Sequence, residues 1–412
     1  MKFKLSKKKE GASLFPLGMK LSSGPQQNYP MHTPIDNQIK EALIERTAAY
    51  RQSGGGVIPF RTPEMQLIEQ LWQAKHLASR LTRSTTAQFS LTHKAAGDQL
   101  KATDLGNELL QLLSSFTGAS MTQYPCHLFD PRIDLFLDCA GKRNLTPTWR
   151  PFLAVAEAQL VPLVDALNGF VQDVRKRSAT SSFKTKVVAF QTEIDKRHKE
   201  MQDYFNQLCL LYPAGHVIRM DFSYNLGQSL GNSPGKDMYQ QVRVHGQALL
   251  AHMKRSLGSA LAGYAWKRDF ASSRGYQYHL VSVLSGPHPQ ELNNIVDSLG
   301  QEWCRQITGG MGLFFDCHAG RGHDFQYRGL IAMNRYAMTM QEHLRLVPVF
   351  MALTDGLTAF APLGKEKQYG MGTLPKVARK KKMQPMPEYQ VTEAGSTSGH
   401  WPFSMSMPTG LV

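Results

Sequence analysis

Two nearby segments, residues 263–269 and 275–280, contain three side chains of the types that bind divalent cations: Asp269, Gln277 and His279. The polar residues between the segments are typical of a tight turn, so we expect the segments to pair as a β-hairpin. Gln277 and His279 then share one face, and Asp269 lies nearly opposite Gln277. A carboxylate, an amide oxygen and an imidazole around one ion favour Mg²⁺ or Mn²⁺ over a structural zinc. For His279 taken alone, packing in the sheet is the more frequent role.

The same hairpin combines cationic and aromatic side chains. Aromatic residues between Lys267, Arg268 and Arg274 provide faces on which bases stack, with packing inside the sheet as the alternative for about half of them. A basic run near the C-terminus would hold phosphates without reading sequence. The predicted nucleic-acid contacts are Arg219, Lys267, Arg268, Arg274, Tyr276, Lys376, Arg379, Lys380, Lys381 and Lys382.

A second group of metal-ligand types lies at residues 316–324, where Cys317, His318 and His323 stand between Asp316 and Asp324. Their spacing matches no common zinc site, so a polar loop is the favoured interpretation. A metal-dependent hydrolase built on this loop is the last-ranked function.

The elements that must position these residues change character along the chain. We predict helices near residues 65–82, 98–116, 151–177 and 185–211, the first with Thr62 as its cap and Pro63 in its first turn. From residue 213 alternation predicts strands at 217–224, 261–270, 275–284, 311–316 and 329–334, with helices at 242–256, 289–307 and 340–354. This β-α-β-β-α-β-β-α order predicts an α+β fold with one helix-covered antiparallel sheet.

Composition divides the chain into four parts. Residues 1–60 are expected to form a flexible basic leader with a short helical stretch near 38–51, and residues 61–212 a mainly helical region. Residues 213–375 form the α+β domain, and residues 376–412 a basic disordered tail.

The chain has 412 residues and a formal net charge of +15, an excess that attracts polyanions such as nucleic acids, with a solvated basic surface that has no partner as the less favoured alternative. Five widely spaced cysteines form no disulfide framework or zinc ribbon. Neither a signal peptide nor an uninterrupted membrane span is visible, so we expect a soluble cytoplasmic protein without a membrane partner.

Several motifs occur in a characteristic order: 217–221 on the first strand, 263–269 and 275–279 in the hairpin, Trp303 before Ile307 and Thr308, and 327–334. In this order the chain resembles the YagK/YfjJ-type family of prophages and filamentous phages, which is related to the HUH endonucleases that start rolling-circle replication. The resemblance covers about residues 213–375 and implies an HUH-like domain. It also implies a metal held by paired histidines and a tyrosine that attacks the scissile phosphate.

The chain departs from that pattern at two positions. Gln277 stands where the first histidine is expected, and in segment 349–353 Phe350 and Leu353 replace the tyrosine and lysine. A phenyl ring has no nucleophilic oxygen, so nicking is expected to be weakened or lost. Tyr369, in a basic loop at 364–370, is the alternative nucleophile.

The resemblance therefore predicts a DNA-binding protein of a plasmid, prophage or filamentous phage that engages single-stranded or hairpin DNA. An active nickase would use Mg²⁺ or Mn²⁺ held by Asp269, Gln277 and His279, and a regulatory relative would need no metal. Host replication proteins and self-association are further expected contacts. The alternatives are an active nickase with a relocated tyrosine and a non-enzymatic structural protein of the element.

Overall fold

The computed structural model describes residues 34–47, 49–53, 56–60, 62–94, 97–116, 124, 126–145, 157–224, 236–271, 275–286, 289–317, 330–334, 338–361 and 367–375. By its internal contacts the chain divides into Met1–Leu374 and Pro375–Val412. Nearly all of the second unit, including the predicted basic tail, lies outside the described residues.

The first half of the chain, where the structure describes it, is mainly helical, with two short antiparallel hairpins. Its elements are α1 (Pro34–Thr47), β1 (Ala49–Ser53), β2 (Gly56–Phe60), α2 (Pro63–Arg83), β3 (Phe89–Lys94), β4 (Gly97–Ala102), α3 (Asp104–Ser115), β5 (His127–Phe129), α4 (Pro131–Lys142), α5 (Glu157–Ser178) and α6 (Ser181–Leu211). β1 pairs with β2 and β3 with β4. The described part of the predicted flexible leader therefore contains a helix and a hairpin.

The start of α2 confirms the predicted cap. The Thr62 side chain accepts a hydrogen bond from the Met65 amide at 3.1 Å, and Pro63 occupies the first turn, where its missing N–H costs nothing.

The helix predicted at 98–116 was wrong in its first turn. Residues 98–102 belong to strand β4, and the helix begins only after Thr103, whose side chain accepts from the Gly106 amide at 3.1 Å. A cap residue has extended backbone, so Thr103 separates strand from helix. Helix α4, capped by Asp130, was not predicted.

The second half of the chain builds the main sheet. Its elements are β6 (Ala214–Tyr224), α7 (Lys236–Leu257), β7 (Leu261–Ala271), β8 (Gly275–Ser285), α8 (Pro289–Glu302), β9 (Gly312–Asp316), β10 (Leu330–Asn334), α9 (Met338–Met351), β11 (Thr358–Phe360) and β12 (Tyr369–Met371). The strand order is β10-β6-β8-β7-β12, β9 also pairs with β6, and all pairs are antiparallel. The α+β class is confirmed, and so is the predicted element order from β6 to α9; β11 and β12 were not predicted.

Helices cover both faces of this sheet. On one face Phe222, Leu280 and Tyr278 pack with residues of α7 and α8. On the other face Val217 and Val281 share a core with α6 and α9. β6, β7 and β8 are therefore buried on both sides, and the helical first half contributes α6 directly to the core of the second.

In the part of the chain that the structure describes, no helix combines the length and apolar character needed to cross a membrane.

Candidate functional site

The three predicted metal ligands lie on one face of the sheet, as the hairpin periodicity predicted. Asp269 on β7 is directly opposite Gln277 on β8, and His279 on β8 is opposite Lys267 on β7 and Asp221 on β6. Residues two apart on a strand share a face. The result is a row of polar side chains across three adjacent strands, on the face covered by α6 and α9.

Asp221 and His279 form the first polar pair of this row. His279 Nδ1 lies 2.7 Å from Asp221 Oδ1, and Arg219 Nη2 donates to Asp221 Oδ2 at 2.9 Å. Burial opposes ionisation of Asp221, but Arg219 and His279 outweigh it and hold its pKa below the ordinary range. Burial also lowers the pKa of His279 against the opposing effect of Asp221. At neutral pH His279 is therefore neutral and donates its Nδ1 proton to the ionised Asp221.

Two side chains of the row have buried polar atoms that lack hydrogen-bond partners. His279 is fully buried, and its Nε2 has no partner within the described structure; neither atom of the Gln277 amide has one. Such atoms cost free energy in a folded protein, and they cluster where function or strain is present.

Next to this pair lies a buried network of charged residues, which we call the ion-pair cluster: Arg46, Arg197, Lys267, Asp269 and Asp355. Arg46 Nε is 2.8 Å from Asp269 Oδ2, and Arg46 Nη1 is 3.4 Å from Asp355 Oδ1. Lys267 and Arg197 both contact the Asp355 carboxylate directly. Arg46 comes from α1, so the N-terminal helix supplies a cation to the middle of the sheet.

Phe350 from α9 covers the His279 side of the row. Its ring meets the His279 ring edge to face with 5.1 Å between centroids, and the Arg219 guanidinium carbon lies 3.6 Å from the Phe350 centroid. Phe350 is 2% exposed. Phe350, which the sequence resemblance aligned with a tyrosine, therefore lies directly against His279.

The residues present do not fit a divalent cation. The unpartnered Nε2 of His279 and the Gln277 oxygen are suitable donors, but Asp269 is paired with Arg46, and Lys267 Nζ lies 4.0 Å from Asp269 Oδ2. Fixed positive charges beside the carboxylate repel a second cation. Among the described residues no group of three His, Cys, Asp or Glu side chains is arranged to hold a metal.

Several predicted nucleic-acid contacts are interior residues. Arg219 is 6% and Lys267 2% exposed, and both pair with carboxylates; Tyr276 is 1% exposed and packs with Phe270 and Phe360. Helices on both faces enclose these strands, so the cations neutralise internal carboxylates. Arg268 is also buried but lines an open cleft, whereas Arg274 and the run Lys376, Arg379, Lys380, Lys381 and Lys382 lie outside the described residues.

Tyr369 lies on strand β12 rather than in a loop. It pairs with Lys267 in the register of β7, and the Arg197 guanidinium carbon is 4.5 Å from its ring centroid. Of the other predicted group, Cys317 is buried, and His318, His323 and Asp324 lie outside the described residues.

Sequence reasoning missed the partners that neutralise the site. Asp221 lies two residues after Arg219 in the 217–221 motif, so strand alternation puts both on one face, and this is a sequence signal that Asp221 belongs to the site. Arg46, His127 and Asp355 come from distant segments with no motif of their own. His127 Nε2 lies 3.8 Å from Asp269 Oδ1, with its side chain fully buried.

The chain matches no protein-family model, and comparisons with curated proteins and with solved structures also found no match. Any assignment of a function therefore rests on the fold and on the geometry of the site.

The lowered pKa of His279 predicts a pH dependence of stability. The unfolded histidine, with an ordinary pKa of 6.5, takes up a proton before the folded one does. The stability that neutral His279 contributes is therefore fully present at a pH above the pKa of the unfolded histidine. It is lost as the pH falls toward the lower pKa of His279 in the folded protein. Urea unfolding at about pH 7.5, 6.5 and 5.5 measures this effect. The free energy of unfolding should fall less with decreasing pH in His279→Gln than in the wild type.

The His279→Gln comparison is needed because burial also lowers the pKa values of His198 and His245. Those residues leave a residual slope of the free energy of unfolding against pH in both proteins. Identical slopes in the two proteins would show that His279 does not contribute.

Proposed function

We propose that this chain is a DNA-binding protein of a mobile genetic element, related to rolling-circle initiators, that binds single-stranded or hairpin DNA without nicking it. The observation that carries the proposal is the convergence of separate motif positions. Asp221, Asp269, Gln277 and His279 lie side by side on three strands, and Phe350, from a much later helix, contacts His279.

This convergence supports the family resemblance because packing was not used to identify the motifs. Phe350 was assigned to the tyrosine position only by its place in segment 349–353. If the assignment were due to chance, the residue chosen on α9 could lie on any face of the helix, including faces that point away from His279. Contact between Phe350 and His279 is what a relative of a nicking enzyme is expected to retain after losing the tyrosine.

Three features of the site support the absence of nicking. Phe350 provides no oxygen that could attack phosphorus, and its ring lies over the imidazole. Arg46 and Lys267 lie beside Asp269, where a catalytic metal would otherwise balance the charge. Within the described residues, Asp269, Gln277 and His279 are also buried on the face of the sheet that packs against α6 and α9, which keeps a scissile phosphate away from them.

The test is incubation of purified protein with labelled single-stranded and hairpin DNA plus Mn²⁺ or Mg²⁺, analysed on a denaturing gel, with parallel binding at two salt concentrations. We expect binding that weakens with salt and no covalent adduct. An adduct lost in Tyr369→Phe would establish the relocated-tyrosine nickase instead. Failure to bind either DNA would overturn the proposal and favour a structural protein.

The basic run near the C-terminus should contribute to that binding. The triple substitution Lys380→Gln, Lys381→Gln and Lys382→Gln should reduce the slope of log affinity against log salt by about 2, because each single-strand phosphate contact contributes about 0.7. Fluorescence anisotropy at several salt concentrations measures the slope.

A control with the same change in charge is available on α6, where Lys184, Lys196 and Lys199 are exposed. Substituting these three lysines by glutamine should leave the slope nearly unchanged. Equal effects of the two triple substitutions would mean that net charge, rather than the basic run, determines binding.

A further inference from the structure

A cleft of about 280 Å³ lies on the opposite side of the sheet from His279, between α7 and strands β7 and β8. Helix α7 contributes Arg243, Gln247 and Leu250, and the strands contribute Trp266, Arg268 and Tyr278. The exposed side chains of Gln247 and Lys367 lie at its solvent side.

The cleft is strongly positive. Arg243, Arg268 and Lys367 line it, and none of the described lining residues is acidic. Three cations facing a concave surface raise the local potential for an anion, and the low-dielectric walls strengthen that effect.

Arg268 has donors that the protein leaves unused. It is 5% exposed; Nη2 donates to the Lys367 carbonyl, and buried Nε and Nη1 have no hydrogen-bond partner within the described structure. Buried donors of a charged group are costly when unpaired, and an anionic oxygen satisfies them with strong charge-assisted hydrogen bonds. The unpaired donors of Arg268 therefore indicate an anionic ligand.

Aromatic rings hold Arg268 in place. Its guanidinium carbon lies 5.3 Å from the Tyr239 ring centroid and 5.1 Å from that of Trp266. Trp266 is in turn stacked on Tyr278, with centroids 5.6 Å apart and planes at 10°. A guanidinium fixed against aromatic rings loses little conformational freedom when it binds an anion.

We propose that this cleft binds a phosphate ester. Its volume is close to the lower end of the range of about 300–1,000 Å³ for small-molecule pockets, which suits a phosphate with a small attached group. A phosphodiester of single-stranded DNA is one source of this group, and that source rests on the proposed function. A free nucleotide is the other source.

The experiment measures binding of a labelled single-stranded oligonucleotide by anisotropy, and of thymidine monophosphate and inorganic phosphate by calorimetry. Arg268→Gln should weaken binding at least about tenfold, because hydrogen bonds to charged groups are worth about 1.5–3 kcal/mol. Lys367→Gln should weaken it by a few-fold. Arg255→Gln, which removes an exposed cation of α7 that does not line the cleft, is the control and should change it less than Lys367→Gln.

The outcomes separate the two proposals. If the wild type binds the oligonucleotide, and Arg268→Gln and Lys367→Gln bind it with the same affinity as Arg255→Gln, the cleft is not the binding site for DNA. The proposal that the protein binds DNA then still stands. If the wild type binds only thymidine monophosphate and Arg268→Gln abolishes this, the cleft stands with a free nucleotide as its ligand, and the DNA proposal fails. Binding of none of the three probes overturns both. Should thermal unfolding show that Arg268→Gln does not fold, Lys367→Gln against Arg255→Gln decides.

Discussion

The Asp355→Asn substitution should lower the free energy of unfolding by about 3–5 kcal/mol, the cost of removing one partner of a buried ion pair. Asp355 contacts three cations, Arg46, Arg197 and Lys267. Lys267 is 2% exposed, and burial lowers its pKa below the ordinary value against the opposing effect of Asp355. Without that carboxylate, Lys267 keeps a hydrogen bond to Thr354 Oγ1 at 3.3 Å and the more distant carboxylate of Asp269 at 4.0 Å. Urea unfolding at neutral pH measures the loss.

An exposed ion pair provides the control for Asp355→Asn. Asp138 pairs with Arg177 and Lys142, its side chain is 47% exposed, and Asp138→Asn should cost less than about 1 kcal/mol. The double variant Lys267→Met with Asp355→Asn should recover much of the loss, because no lysine charge then remains buried. A loss from Asp355→Asn as small as that from Asp138→Asn would mean that water reaches the cluster and screens it.

The hairpin geometry could be predicted because it depends on local rules. Side chains alternate along a strand, so Gln277 and His279 had to share a face, and the short turn placed Asp269 opposite Gln277. The β3–β4 hairpin was missed because its residues were assigned to a helix and a connecting segment. Only the pairing of β4 with β3 shows that residues 98–102 form a strand and not the first turn of the helix that follows.

The environment of the site could not be predicted in the same way. Charged residues are usually exposed, so Arg219 and Lys267 were interpreted as surface contacts for DNA. Their burial depends on α6 and α9 packing over that face, and the counter-charges come from Arg46 and Asp355, which are distant in sequence. No periodicity within one segment indicates such a pairing.

We expect Phe350→Ala to lower the free energy of unfolding by about 3–5 kcal/mol, as large-to-small changes of buried aromatics do. Phe350 is 2% exposed, its ring touches His279, and Arg219 lies 3.6 Å from its centroid. Its removal leaves a void beside two polar side chains, one of which has an unpartnered nitrogen. Water entering that void should make His279 accessible, so its modification by diethyl pyrocarbonate should become faster than in the wild type.

Phe350→Leu distinguishes the contribution of the ring from that of its volume. Leucine retains much of the apolar bulk but loses the contact with the Arg219 cation, which is worth about 2 kcal/mol when desolvated. Phe205→Leu in the same core is the matched control, because Phe205 is 1% exposed and its ring packs against Tyr204. A greater loss in Phe350→Leu than in Phe205→Leu would show that the ring stabilises Arg219, and through it the ionised Asp221. Equal losses would make Phe350 an ordinary core residue.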